Sequence, residues 1–302
     1  MLKSNKLSSD NGKPVETRGR KAIGPFLKAA SCRKESLFLS KRVFGLFLFS
    51  LFAVLIFGQA FANASEVFNL SKINQGIVGI NIPLKNNKTK IMIQKDGKTY
   101  YYDVKTEKDM LPLQMGSGIY LLALLENIEG SKYAVNSSKS VQVNLDNEKI
   151  SFLQSIRPVY WRKESKAAKL AKELTENMDT DEKKACAIYD YIINNIEYDR
   201  NKLTNLNTDY IPNVDEIIAS GKGICFDYAA VYAAMLRSID IPAKLVMGYK
   251  EDIDAYHSWN EVFLEKKGWV TIDTTYDAVM IEYGTSSTFE KDPGEYKKEK
   301  EY

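Results

Sequence analysis

The segment ASGKGICFDYAAVYAAMLRSIDIP, residues 219–242, decides the fold of this chain. Gly221 and Gly223 permit a close backbone approach. Beyond Cys225 the run AAVYAAML, residues 229–236, is helical in composition and uncharged. A helix with so little polar surface belongs in the centre of a domain. Cys225 then stands at the helix start, where unpaired amides and the macrodipole favour a thiolate over a thiol. Taken alone, the segment describes a nucleophile and a small core residue equally well.

His257 separates those two descriptions. It is the only histidine of the chain, which excludes a metal site built on several imidazoles. It stands in YHSWNEVFLEKKGWVTIDTTYD, residues 256–277, where HSWNEVFL and GWVTID read as strands joined by the turn-forming Glu265-Lys266-Lys267-Gly268. His257 opens one strand and Asp273 ends the next, so both fall at one end of a hairpin. A base and its orienting carboxylate need that placement: Asp273 would hold the imidazole tautomer while His257 pairs with the Cys225 thiolate. A hairpin centred on Lys266-Lys267 sets His257 opposite Tyr276, so a stagger or bulge is expected to supply the remaining shift.

These motifs together, GKGICFDYAAVYAAMLRSIDIPAKLVMGY followed by HSWNEVFLEKKGWVTIDTTYD, resemble the bacterial transglutaminase-like family of the papain superfamily over roughly residues 165–280. The resemblance implies an α+β core in which a helix carrying the thiol packs on an antiparallel sheet carrying His and Asp. It maps the family's Cys, His and Asp onto Cys225, His257 and Asp273, its aromatic after the histidine onto Trp259, and its Asp-x-Thr onto Asp273 and Thr275. Tyr198, in NIEYDR, occupies the place of an aromatic that this family often carries upstream of the nucleophile. Its hydroxyl could help the Cys225 amide hold an oxyanion, with core packing the alternative. Trp259 would shield the His257 to Asp273 hydrogen bond from water, or be plain core.

The rest of the chain frames that core. With 302 residues, 44% of them hydrophobic and 27% charged, it has a globular composition. Eleven Lys and Arg against three Asp and Glu fill residues 1–64, leaving 31 basic against 36 acidic residues over 65–302. The basic excess is thus an N-terminal address and not a nucleic-acid surface. Residues 1–42 form a basic segment, and 43–64 a signal-peptide apolar region or a membrane anchor, with VFGLFLFSLFAVLIFGQAFA at 43–62. Either way residues 65–302 are expected outside the cytoplasmic membrane. Residues 65–155 carry short strands and an Asp96-Gly97 hairpin signal, which predict a small β-sandwich-like domain. Residues 156–290 are the catalytic domain, with a helix capped by Thr180. Residues 200–213 read as a long functional or mobile loop, and the charged residues 291–302 as a tail in solvent. Cys32 precedes the apolar run and Cys186 lies on a buried helical face, so no disulfide framework is indicated.

The expected function is that of a cysteine enzyme without metal or cofactor, cleaving or transferring acyl groups of peptide amides through a thioester. Its substrates would be peptides or proteins of the cell envelope, wall peptides among them. Glu251-Asp252-Ile253-Asp254 has too few spaced oxygens for a calcium loop and is expected as a solvated turn. The alternatives are an idle module of the same fold used for binding or scaffolding at the envelope, and a small-molecule acyltransferase, for which no nucleotide or coenzyme motif is present.

Overall fold

A computed structural model describes residues 67–83, 88–207 and 210–302. The basic segment 1–42 and the apolar segment 43–64 lie outside the described residues. No helix among the described residues is long and apolar enough to cross a membrane.

Period-two alternation builds the first part. Strands β1 (Phe68–Asn69), β2 (Ile77–Asn81) and β5 (Lys108–Pro112) form one antiparallel sheet. Strands β3 (Thr89–Lys95), β4 (Lys98–Asp103), β6 (Gly118–Glu129) and β7 (Lys132–Val143) form a second, in the order β4-β3-β6-β7. Asp96 and Gly97 turn between β3 and β4 with φ of 48° and 78°, the positive values that a two-residue hairpin demands. Inward side chains such as Val78, Ile80, Ile91, Ile93, Leu122 and Val143 meet in one apolar cluster shared by the two sheets. Strand β7 is continuous over twelve residues, and its register against β6 shifts twice, at Leu124/Leu125 and at Asn127/Glu129.

The helical texture begins at α1 (Lys166–Thr175), capped by Ser165, and α2 (Asp181–Asn195). Thr180 caps α2 as expected, accepting from the Lys183 amide at 3.3 Å. A parallel pair of two-residue strands, β8 (Glu197–Tyr198) and β9 (Lys222–Gly223), brackets two short helices, α3 (Arg200–Thr204) and α4 (Val214–Ser220). Helix α5 (Cys225–Arg237) is buried from Asp227 to Arg237, with Tyr228 through Leu236 at most 1% exposed. It packs on β10 (Ala243–Lys250) and β11 (Ile253–Leu264), and β12 (Gly268–Ile272) leads into α6 (Thr274–Glu282).

The segment 291–302 is a correction. Instead of a charged tail in solvent, it forms β13 (Tyr296–Glu301), which pairs antiparallel with β10 and completes the sheet order β12-β11-β10-β13. The sheet that packs on α5 therefore takes in residues beyond 290. The backbone ladder explains why: without β13, β10 would offer an open edge, and a ladder hydrogen bond is indifferent to the charge of the side chains beside it. At the far end the Tyr302 carbonyl accepts from Arg237 Nη2 at 2.8 Å, and its amide and carbonyl pair with Leu245.

Candidate active site

Cys225 is the first residue of α5. Ile224 stands before it as the cap residue, and its amide donates to the Asp227 carboxylate at 2.9 Å. Gly223 needs its bare Cα, because a Cβ there would come within 2.7 Å of the Asp227 side chain. Cys225 is half-buried at the helix start.

His257 lies 5% exposed on β11, opposite Gly248 of β10. Of the stagger or bulge expected between His257 and Asp273, there is no bulge: β11 and β12 pair regularly from Leu264 opposite Gly268 to Asn260 opposite Ile272, a register staggered by one residue from a hairpin centred on Lys266-Lys267. The strand ends there, and Asp273 leaves it as the N-cap of α6, with Oδ1 accepting from the Tyr276 amide at 3.0 Å. Freed from the pleat, its Oδ2 lies 2.7 Å from His257 Nε2. A carboxylate only accepts, so Nε2 carries the proton of that bond and Nδ1 is the nitrogen left for Cys225.

Electrostatics follow from that geometry. Burial disfavours charge on His257, but the adjoining Asp273 carboxylate, its hydrogen bond and the Cys225 hydrogen bond outweigh burial and push the imidazole up to about 10. Burial likewise works against the Asp273 carboxylate, yet the His257 charge beside it, that hydrogen bond, the Tyr276 amide and the Tyr296 hydroxyl hold its pKa below the usual range. The imidazole is thus charged at neutral pH, the form that can give a proton to a leaving amine.

The other expected residues are also near. Trp259, 1% exposed, lies stacked on His257 with centroids 6.3 Å apart. Tyr198 pairs with Gly223, and its phenol is pushed up by burial and then by Cys225 beside it. Cys186 is elsewhere, with its thiol pushed up by burial and then by Asp190 and Glu182. In the 251–254 turn, Asp252 is taken by Lys250 Nζ at 2.6 Å and the Tyr276 hydroxyl at 2.8 Å. No group of three or more potential metal ligands occurs among the described residues.

Two features escaped the sequence pattern. The loop after β8 is partly helical and is pinned to α5: Lys202 Nζ and the Tyr210 hydroxyl each donate to Asp227 at 2.6 Å. No simple pattern links Lys202 to Asp227 across that loop. The second is Tyr296, whose hydroxyl donates to Asp273 Oδ2 at 3.1 Å. The Asp292-Pro293-Gly294 turn just before it was the available signal, since such a turn followed by six residues can open a strand.

Residues 168–274 match the family model of the transglutaminase-like superfamily. The YebA protein of Bacillus subtilis is 27% identical over 163 residues, which cover 47% of this chain and 22% of that protein. A protein-glutamine gamma-glutamyltransferase of Pseudomonas aeruginosa is 32% identical over 85 residues, 23% of this chain and 13% of that protein. The chain thus spans less than a quarter of the length of these two curated relatives. The crystal structure of the periplasmic domain of Pseudomonas aeruginosa TgpA is 17% identical with a TM-score of 0.34, covering 66% of this chain and 86% of that one. Residues 168–274 thus carry a transglutaminase-like family-model domain, and members of that family are cysteine-dependent enzymes.

Proposed function

We propose that this chain is a thiol-dependent acyl-transfer enzyme acting on peptide amides outside the cytoplasmic membrane, with Cys225 as nucleophile, His257 as acid and base, and Asp273 as its orienting carboxylate. The observation that carries the proposal is the 2.7 Å contact from His257 Nε2 to Asp273 Oδ2, in a buried pair whose imidazole is also raised by Cys225 beside it. The extracytoplasmic location draws on the apolar run at 43–62 behind its basic flank.

The Cys225 sulfur attacks the amide carbonyl carbon as a thiolate, and a tetrahedral oxyanion forms beside the first-turn amides of α5. As the carbon–nitrogen bond breaks, His257 gives its proton to the leaving amine and a thioester remains. Neutral His257 then takes a proton from water or from a second amine as either attacks the thioester. The carbon–sulfur bond breaks and Cys225 leaves as the thiolate beside the reprotonated imidazole; water thereby yields a carboxylic acid, and an amine yields a new amide that cross-links its donor. Trp259 stacks on His257, and Tyr198 lies near enough to Cys225 for each to feel the other's charge. The name of the Pseudomonas relative supports glutamine as acyl donor.

The test incubates the protein with glutamine-containing peptides and a labelled primary amine, with and without chelator, and reads products by mass spectrometry. Amine incorporation or deamidation is expected in both conditions, and none with Cys225→Ala. Turnover by Cys225→Ala at the wild-type rate would end the proposal. Activity abolished by chelator and restored by calcium would overturn its metal-free form.

A further inference from the structure

Strand β13 lies beyond the stretch matched by the family model, yet it reaches the centre of the site. Asp273 Oδ2 receives two donors, His257 Nε2 at 2.7 Å and the Tyr296 hydroxyl at 3.1 Å, while Oδ1 receives the Tyr276 amide. Three donors from three elements fix the plane of one buried carboxylate. Without the hydroxyl, the half of the carboxylate that faces His257 would be held by His257 alone.

The Tyr296 ring is itself immobilised. It is tilted against Trp259 with centroids 5.0 Å apart, and Lys250 Nζ lies 5.4 Å from its centre, held by Glu295 at 3.0 Å. The ladder sets Tyr296 opposite Lys250 and Lys298 opposite Gly248. Gly248 lets the strand approach, because a Cβ there would overlap the Lys297 carbonyl and press on the Trp259 ring. At its other end β13 is tied to the β-rich region: the Glu301 amide donates to the Tyr100 hydroxyl at 3.3 Å, and Gln114 Nε2 donates to the Glu301 carbonyl at 3.2 Å. The Tyr302 ring makes edge contacts with Tyr100 and Tyr102 at 5.8 and 6.3 Å.

We propose that Tyr296 is a positioning residue of the acyl-transfer site, its hydroxyl holding the Asp273 carboxylate against His257, and that the β-rich region supports catalysis by anchoring the strand that carries it. This rests on the assignment of Cys225, His257 and Asp273 above. The strand is a strut from the first domain to the carboxylate of the second.

The experiment uses the full chain as wild type, Tyr296→Phe, Asp273→Asn and the double variant. Site-resolved mass spectrometry follows iodoacetamide alkylation of Cys225 at pH 6, with Cys186 as internal reference. NMR of labelled histidine follows solvent exchange of the Nε2 proton, which is unambiguous because His257 is the only histidine. A Tyr296→Phe protein that folds, alkylates Cys225 about fivefold more slowly and exchanges that proton about fivefold faster is expected, the scale of one hydrogen bond. In the Asp273→Asn background the same change should add less than about twofold, since both residues act through one carboxylate. Wild-type values in Tyr296→Phe, full multiplication of the two losses, or a Tyr296→Phe chain that does not fold would each overturn the positioning role. A wild-type Cys225 no faster than Cys186 would remove the triad assignment and this proposal with it. A fast wild type with an unchanged Tyr296→Phe removes the proposal alone.

Discussion

Helix α5 packs on the sheet that strand β13 completes, and the two are held there by opposite means. Along α5, Ala229, Ala230, Ala233 and Ala234 are at most 1% exposed, and the helix is held by burial of nearly its whole circumference. Along β13, Lys297 through Lys300 are exposed, and the strand is held by its ladder with β10 and by its two terminal aromatic rings. Apolar burial announces itself in composition; attachment through backbone and a few end residues does not. The two elements converge on one group, since α5 brings Cys225 to His257 and β13 brings Tyr296 to the carboxylate behind it.

The comparison breaks most sharply if β13 is dispensable. A chain ending at Glu290 would uncover Trp259, leave β10 as an edge and strip the buried Asp277 of Lys291, which contacts it at 2.7 Å with the two side chains 8% and 1% exposed. Loss of the two aromatic anchors and of that ion-pair partner should cost at least about 4 kcal/mol. Urea unfolding of the shortened chain measures it. A midpoint matching the full chain would show β13 to be an appendage and restore the expectation of a solvent tail.

A medium effect tests the point of convergence through pH. His257 is pushed up to about 10 in the folded protein from an ordinary 6.5. Between those values the folded chain binds a proton that the unfolded chain does not, so stability falls as pH rises. The contribution is complete below about 6.5 and gone above about 10. The folded pKa of Asp273 is lowered, so its contribution is present above the ordinary carboxylate range and fades as pH falls through the folded value. Wild type should therefore lose on the order of 1–3 kcal/mol more than His257→Asn between pH 7 and 10, read as the difference of their urea curves. Parallel curves would mean that His257 is neutral in the folded state and that the two elements do not meet on a charged imidazole.

What could be read from the sequence divides along the same line. The α5 run, the Thr180 cap and the Asp96-Gly97 turn follow local rules that the tertiary structure does not override. The meeting of His257 and Asp273 at one hairpin end was legible, but its means was not: Asp273 belongs to a helix cap, and a cap is recognised only once the end of β12 is known. The YKKEKE of β13 has no apolar alternation because its flanking strand supplies backbone partners and its outward lysines meet water or carboxylates. The Lys202 and Tyr210 contacts with Asp227 span a loop, and no period connects them.

The smallest effect separates ladder from charge on β13 itself. Lys298 Nζ reaches Glu261 at 2.8 Å and Glu301 at 2.9 Å, which invites the view that ion pairs hold the strand. Both carboxylates, however, also contact Lys244 Nζ, at 3.1 and 3.0 Å, with Lys244 only 12% exposed and Lys298 37% exposed. On Glu301, burial opposes the charge, and Lys244 comes before Lys298 among the groups that outweigh it and lower the carboxyl. Removing Lys298 therefore leaves neither carboxylate alone, and the lost pairs face water. Lys298→Ala should lower stability by about 0.2–1 kcal/mol in dilute buffer, and by less in about 1 M salt, where the Debye length is about 3 Å. Urea unfolding at both salt concentrations decides it. A loss above about 2 kcal/mol that persists in salt would place the strength of β13 in its side-chain charges. The difference from α5 would then be one of buried against charged side chains, and no longer one of side chains against backbone.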